Sequence, residues 1–348
     1  MWAKKLIKWY HKNKRDLPWR KNPHPYNIWL SEIILQQTTV SQGTPYYLKF
    51  IKKYPTIFDL SKASENEVLK IWQGLGYYTR AVNLLLTARY ISKYRNGIFP
   101  DKIDDLKKLK GIGDYTASAI ASISYKVPTS VVDGNVYRLI SRFFGLFTPI
   151  NSLKAYKEFK KRADNLMANY DPSDFNQAMM EFGSIQCKSK NPICKNCIFI
   201  KDCYAFNNKC IDSLPVKKKL KKIKTRYFNY IIVQDLNGNF IINQRTKKDI
   251  WNKLYQFPLI ESDENLELER LTSNKFLFEL CSGEFKNLKK INSKPIIHRL
   301  SHQKINITFW KLNVLKFTDY GIKVKNLKNF PVPIILEKFF NSKANFES

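Results

Sequence analysis

Four cysteines stand within seventeen residues, Cys187, Cys194, Cys197 and Cys203, spaced C-x6-C-x2-C-x5-C. Thiolates so crowded can converge on one tetrahedral zinc or one four-iron, four-sulfur cube, because both need soft ligands. Zinc ribbons bring together two C-x-x-C pairs, whereas one pair with wider outer spacings favours the cube. Two carboxylates have surroundings suited to acid-base work. Asp133 follows Val131-Val132 and precedes Gly134-Asn135 and an amphipathic run, Val136, Leu139, Ile140, Phe143 and Phe144. Pattern alone makes it a helix N-cap. Glu32 lies in Trp29-Leu30-Ser31-Glu32-Ile33-Ile34-Leu35-Gln36-Gln37-Thr38 and would share a helix face with Ile28 and Leu35. That apolar setting raises a carboxyl pKa, although a helical glutamate more commonly faces solvent. Between Leu109 and Ala117, Gly111 and Gly113 permit a tight hairpin with positive φ. The helix after it, Thr116 to Ser124, then turns free N–H groups toward an anion such as a phosphate.

The elements that must carry these groups fall into two regions, as a chain of 348 residues suggests. From Tyr26 to about Ser184 apolar residues recur at helical spacing, which predicts a mainly helical domain. A lysine-rich run, Ser213 to Lys224, holds few apolar groups and reads as a solvated linker. Beyond it come short β-rich runs, Tyr227 to Gln234, Phe240 to Asn243 after a turn at Asn237-Gly238, and Ile305 to Leu315. The expected layout is a helical domain over 1–212, with its hairpin at 109–124 and cysteine motif at 187–203. A basic linker over 213–224 and an α+β domain over 225–341 complete it. The net charge of +31 calls for a polyanionic partner such as nucleic acid, unless it reflects a general bias toward lysine. No apolar run suits a signal peptide or a membrane span, so a cytoplasmic protein with no membrane partner is expected.

In order and spacing these segments resemble the endonuclease III and MutY superfamily of DNA glycosylases, whose members place this cysteine spacing after a helical domain. The resemblance implies a structural four-iron, four-sulfur cluster on Cys187, Cys194, Cys197 and Cys203, with Lys188 and Lys190 presented to the phosphate backbone. It implies a helix-hairpin-helix at Gly111 and Gly113, and a catalytic Asp133, with Asn135 beside it, facing C1′ of an extruded nucleotide. Ser31 to Thr38 is similar to the S-E-x-x-L-Q-Q-T motif of the MutY branch. There Glu32 would protonate a leaving adenine, a poor leaving group otherwise, while Gln37 intercalates and Thr38 contacts DNA. Lyase-type members carry a lysine where this chain has Tyr115, and a tyrosine forms no Schiff base. Leu17-Pro18-Trp19-Arg20 and Phe175 to Glu181 resemble segments lining the adenine pocket, which makes Trp19, Arg20 and Glu181 candidate base contacts. Gly74-Leu75-Gly76-Tyr77-Tyr78 resembles the segment supplying a wedge at the lesion, at Tyr77.

The last third resembles the Nudix-like domain that MutY proteins append. Trp251 to Pro258 matches W-x-x-L-x-x-F-P, and Leu300-Ser301-His302 is similar to F-S-H with Leu in place of Phe. Ser301 and His302 would then offer donors to 8-oxoguanine. The sequence carries no G-x5-E-x7-R-E-x2-E-E run, which argues against a nucleotide pyrophosphatase. The expectation is a monofunctional adenine glycosylase, a monomer at the bacterial nucleoid, acting on double-stranded DNA with 8-oxoguanine:adenine or guanine:adenine mispairs. A thymine or oxidised-pyrimidine glycosylase on the same scaffold, or a non-enzymatic iron-sulfur DNA-binding module, are the alternatives.

Overall fold

The computed structural model describes residues 2–218, 223–281 and 287–342. Packing divides the chain into two units, Met1–Ala63 with Asn83–Leu220, and Ser64–Val82 with Lys221–Ser348. In chain order the helices through the cysteine motif are α1 (Trp2–Asn13), α2 (Pro18–Lys21), α3 (Pro25–Leu35), α4 (Val40–Lys53), α5 (Ile57–Lys62), α6 (Glu65–Trp72) and α7 (Thr79–Tyr94). They continue with α8 (Ile103–Lys107), α9 (Asp114–Tyr125), α10 (Gly134–Phe144), α11 (Ala155–Met167), α12 (Pro172–Glu181) and α13 (Tyr204–Asn207).

Helix α3 starts cleanly because Pro25 occupies its first turn and the His24 ring accepts a hydrogen bond from the Tyr26 N–H. Every residue from Ile28 through Ile34 is buried, and all but Ser31 and Glu32 are apolar, so it runs through the interior of the unit. Its neighbour α9 is built from Thr116, Ala117, Ser118, Ala119, Ala121 and Ser122, all buried, and such small residues let two helices approach closely. Helix α10 begins at Asp133, whose carboxylate accepts from the N–H groups of Asn135 and Val136, and ends at Gly145 with φ +66°. Its apolar face, Val136, Leu139 and Ile140, joins Leu6, Tyr10, Phe159, Phe175, Met179 and Phe182 in one core.

Two expectations change in this unit. The hairpin uses one left-handed glycine, not two: Gly111 has φ +79°, whereas Gly113 is extended, with φ −98° and ψ −176°, and caps α9. One such residue is enough to reverse the chain. Along Ser213 to Lys224, the first half is docked. Leu214 is buried, the Ile150 N–H donates to the Val216 carbonyl at 3.0 Å, and Asn151 pairs with the backbone of Lys218. A single leucine, one backbone bond and the two bonds of the Asn151 amide anchor a run whose Lys217 and Lys218 side chains still reach solvent; Lys219, Lys221 and Lys222 lie outside the described residues.

The other unit is built on a mixed sheet. Its strands are β1 (Lys224–Gln234), β2 (Phe240–Gln244), β3 (Tyr255–Gln256), β4 (Leu259–Ser262), β5 (Lys289–Lys290), β6 (Ile296–Arg299), β7 (Gln303–Asn313) and β8 (Ile322–Val324). The path β3-β2-β1-β7-β5 is joined by β4 on β1, β6 on β7 and β8 on β2. β1 and β7 run parallel over their whole length, from Lys224 opposite Gln303 to Gln234 opposite Asn313. Phe228 to Val233 and Ile305 to Trp310 are continuously buried, as expected of strands covered on both faces. Helices α14 (Leu268–Thr272) and α15 (Lys275–Cys281) pack Leu271, Leu277 and Leu280 onto Ile231, Val233 and Trp310, while α16 (Ile334–Asn341) stacks Phe339 on Phe309 at 3.5 Å. The sheet, with helices against it, is the expected α+β arrangement. Ser64–Val82 packs here too: Lys70 Nζ donates to the Phe330 carbonyl at 3.1 Å, and the Val332 N–H donates to Gln73 Oε1 at 3.4 Å. Among the described residues no helix is long and apolar enough to cross a membrane.

The segment leading to Asp133 is held by a fully buried side chain, Asn176 on α12. Its amide donates to the Thr129 carbonyl and accepts from the Val131 N–H, both at 2.8 Å. Replacing Asn176 with Leu leaves two buried backbone groups unpaired, so urea unfolding should show a loss of about 2 to 5 kcal/mol. A loss within experimental error would show that water reaches these groups.

Candidate active site

Glu32 hangs from the middle of α3 and is 7% exposed. Burial raises its pKa to about 7, the Tyr115 hydrogen bond opposes this, and the nearby Asp133 charge adds to it. Tyr115, on the first turn of α9, donates its hydroxyl proton to Glu32 Oε2 at 2.6 Å and also reaches Met180 Sδ at 3.6 Å. Burial and the two carboxylates hold its own pKa well above the ordinary phenol value. Asp133 is raised by burial too, against the opposing pull of the Val136 and Asn135 N–H groups and the Asn135 amide, which donates to Oδ2 at 2.6 Å. An N-cap position therefore gives this carboxylate a fixed orientation and three donors while leaving it half-buried.

These groups share one cavity of about 150 Å³ in the helical unit. Trp19, Arg20, Thr38, Asn135 and Glu181 line it as well, together with Arg15, which the sequence reading passed over. Glu181 is 1% exposed, and both its oxygens are taken: Arg15 donates from its backbone N–H, Nε and Nη2, and Arg20 from Nη2, each at 2.8 Å. Burial alone would raise this carboxyl, but the two guanidiniums outweigh it and hold the pKa at about 2. Glu181 is thus an anion that fixes Arg15 and Arg20 at the cavity wall. Trp19 is buried against Tyr47.

Gln37 stands just past α3, exposed, with φ +56°, and Tyr77 is 42% exposed with φ +50°. Left-handed backbone is uncommon for such residues and marks two positions held in a strained projection. Tyr77 lies in the sheet-containing unit, where its hydroxyl donates to Ser301 Oγ at 2.8 Å, and Ser301 Oγ in turn meets His302 Nδ1 at 3.2 Å. These three residues line a second cavity, of about 430 Å³, with Trp251 and Arg299. The sequence-identified residues therefore form two groups, one around Glu32 and one around Ser301. Gly111 and Gly113 sit apart in the hairpin, and Lys188 and Lys190 are exposed in the cysteine loop.

A turn of π-helix, Phe182–Gln186, leads from α12 into that loop, and π-turns recur at functional sites. Gly183 makes room there, since a Cβ on it would stand 2.7 Å from the Asn135 carbonyl oxygen. The four thiols stay within electrostatic reach of one another. Among the described residues no three Cys, His, Asp or Glu side chains converge closely enough to hold a single metal ion. Donors nonetheless surround the sulfurs: buried Arg142 donates to Cys187 Sγ at 3.6 Å and the Phe199 N–H to Cys197 Sγ at 3.4 Å. Such donors suit thiolate ligands. Arg138 ties the loop to the cavity, donating to the Cys187 carbonyl through Nε and to Asn135 Oδ1 through Nη2, both at 2.8 Å.

The helical scaffold, its hairpin and this cavity are those of a base-excision DNA glycosylase. Residues 30–165 match the HhH-GPD superfamily base excision DNA repair protein family, and residues 229–342 match the NUDIX domain family. An adenine DNA glycosylase of Buchnera aphidicola subsp. Acyrthosiphon pisum is 34% identical over 342 residues, covering 96% of each chain. A human adenine DNA glycosylase is 39% identical over 201 residues, which is 55% of this chain and 37% of that protein. Among solved structures, a thermostable thymine-DNA glycosylase aligns with a TM-score of 0.55 and 29% identity, over 60% of this chain and 95% of its own. The chain belongs to the adenine DNA glycosylase family.

The raised Glu32 pKa has a thermodynamic consequence. Between its ordinary value of 4.5 and about 7 the folded protein keeps a proton that the unfolded chain has released, so stability falls as pH rises through that window. Glu32→Gln lacks this slope. It should gain on the wild type across the window, reaching a relative gain of about 3 kcal/mol by pH 8. Parallel stability-against-pH curves for the two proteins would place the Glu32 pKa near its ordinary value.

Proposed function

We propose that the chain excises adenine paired with 8-oxoguanine or guanine in duplex DNA and hydrolyses the glycosidic bond without a lyase step. The observation that carries this reading is the Tyr115–Glu32 hydrogen bond in a cavity shared with Asp133. Buried Glu32, protonated below about pH 7, gives its proton to a ring nitrogen of the extruded adenine. The C1′–N bond breaks with its electron pair passing to the base, and the Asp133 carboxylate stabilises or captures the cationic sugar. Water then adds to C1′ and gives up a proton to a carboxylate, leaving free adenine and an abasic site. Asn135 holds Asp133, Glu181 holds Arg15 and Arg20 for contact with the base, and Trp19 and Thr38 complete the pocket. The hairpin at Gly111 and Gly113 and the exposed Lys188 and Lys190 take phosphates, Gln37 and Tyr77 enter the base stack, and Ser301 with His302 reads the oxidised base.

Cys187, Cys194, Cys197 and Cys203 hold a four-iron, four-sulfur cluster in this reading. When bound, it supplies structural cross-linking of the loop that carries Lys188 and Lys190. The work is done by a monomer, on the DNA of the bacterial nucleoid.

Single-turnover assays on duplexes with adenine opposite 8-oxoguanine or guanine, thymine opposite guanine, and an oxidised pyrimidine test the substrate. Adenine release should dominate, and Glu32→Gln should slow it by about 10²- to 10⁴-fold with duplex binding retained. Preferred release of thymine or an oxidised pyrimidine would overturn the reading. Borohydride should trap no covalent complex at wild-type activity, since Tyr115 supplies no amine for a Schiff base. Efficient trapping would restore the lyase step.

A further inference from the structure

Besides Gly76 to Thr79, the cavity lined by Tyr77, Trp251, Ser301 and His302 has two walls from distant parts of the sequence. One is the loop Asp249 to Asn252, leading from β2 to β3. The other is the turn between β6 and β7, closed by the Leu300 N–H donating to the Gln303 carbonyl at 2.8 Å, with Ser301 and His302 at its tip. Arg226, near the start of β1, is 8% exposed and stands behind both walls. Its Nη1 and Nη2 donate to the two oxygens of Asp249 at 2.9 and 2.7 Å, and Nε and Nη2 to those of Glu261 at 2.6 and 2.7 Å. Nη1 also donates to Gln303 Oε1 at 3.0 Å. A guanidinium has five N–H donors in a rigid fork, so this set engages all of them on three separate segments.

We propose that Arg226 is a positioning residue for lesion recognition: by holding Asp249 and Gln303 together it fixes the Trp251 loop against the Ser301-His302 turn, and so sets the preference for 8-oxoguanine over guanine. The proposal rests on the reading of that cavity as the site of the opposing base. 8-Oxoguanine and guanine differ by one carbonyl and one ring N–H, a difference worth about five- to two-hundred-fold only if the reading groups sit in register with it. Arg226 is not among the residues lining the cavity. It acts through Gln303, the neighbour of His302, and through Asp249, two residues before Trp251. Trp251 itself packs on Phe228 and on His298, so a shift of its loop is felt along β6. A lysine cannot replace this fork, because one ammonium cannot span two carboxylates and an amide in a plane.

The test measures single-turnover adenine release opposite 8-oxoguanine and opposite guanine with the full-length protein. The variants are Arg226→Met, Arg226→Lys, Gln303→Leu and the double change Ser301→Ala/His302→Ala, the first and third also being combined with the last. Arg226→Met and Gln303→Leu should each lower the preference for 8-oxoguanine by about fivefold or more, the loss falling mainly on the 8-oxoguanine duplex. Arg226→Lys should not restore it. Combination with Ser301→Ala/His302→Ala should cost no further preference, since the same contacts are removed. Gln303→Leu keeps Arg226 with Asp249 and Glu261, so it decides the matter if Arg226→Met fails to fold. Equal losses on both duplexes, or additive losses in the combined variants, would overturn the proposal. Preference retained by Ser301→Ala/His302→Ala would overturn the reading of the cavity and the proposal with it. Preference lost there but kept in Gln303→Leu and Arg226→Met would overturn the proposal alone.

Discussion

Burying one carboxyl group governs how the helical unit is built. Glu32 is surrounded by apolar groups on α3, and the group that meets it is the uncharged hydroxyl of Tyr115, not a cation. A cation at that place would hold the carboxyl ionised, as Arg15 and Arg20 do for Glu181. Two buried glutamates in one cavity wall thus end at opposite values, about 7 and about 2, because one faces a phenol and the other two guanidiniums. The first can give up a proton at neutral pH and the second serves as a fixed anion. Separation of paired carboxyl groups by environment is how a single pocket assigns acid and anchor.

The rest of the helical unit keeps that arrangement in place. Small residues along α9 let it lie against α3, so the Tyr115 hydroxyl reaches Glu32. Asn176 fixes the strand-like approach to Asp133, and the N-terminus of α10 orients the Asp133 carboxylate with two N–H groups. Arg138 links that helix to the cysteine loop, passing between Asn135 and the Cys187 carbonyl. Asn176 is fully buried, Asp133 and Arg138 are partly so, and all three have hydrogen-bond partners; such networks hold positions more sharply than apolar packing alone.

Much of this was legible in the residue order. The helical spacing, the change to β-rich runs after the lysine stretch and the crowding of four cysteines are local patterns, and local patterns are what a sequence displays. The apolar neighbours of Glu32 at helical spacing were visible for the same reason. Arg15, Arg138, Asn176 and Arg226 were not singled out. Each acts on a partner far along the chain, as Arg15 does on Glu181 and Arg226 on Gln303, and no periodicity announces such a pairing. The docking of Leu214 and Val216 escaped notice because six nearby lysines dominate the composition of that run. The association of Ser64–Val82 with the sheet-containing unit depends on side-chain contacts to Phe330 and Ser301, again distant in sequence.

The claim on which the chemistry turns is that Glu32 holds its proton near neutrality. Selective carboxyl ¹³C labelling of glutamate, with the Glu32 resonance assigned by its loss in Glu32→Gln, would follow that titration directly. The expected midpoint is about 7, against 4.5 for an ordinary glutamate, with a further rise in Tyr115→Phe, where the hydrogen bond that favours the charged form is gone. A midpoint at the ordinary value in the folded protein would contradict it.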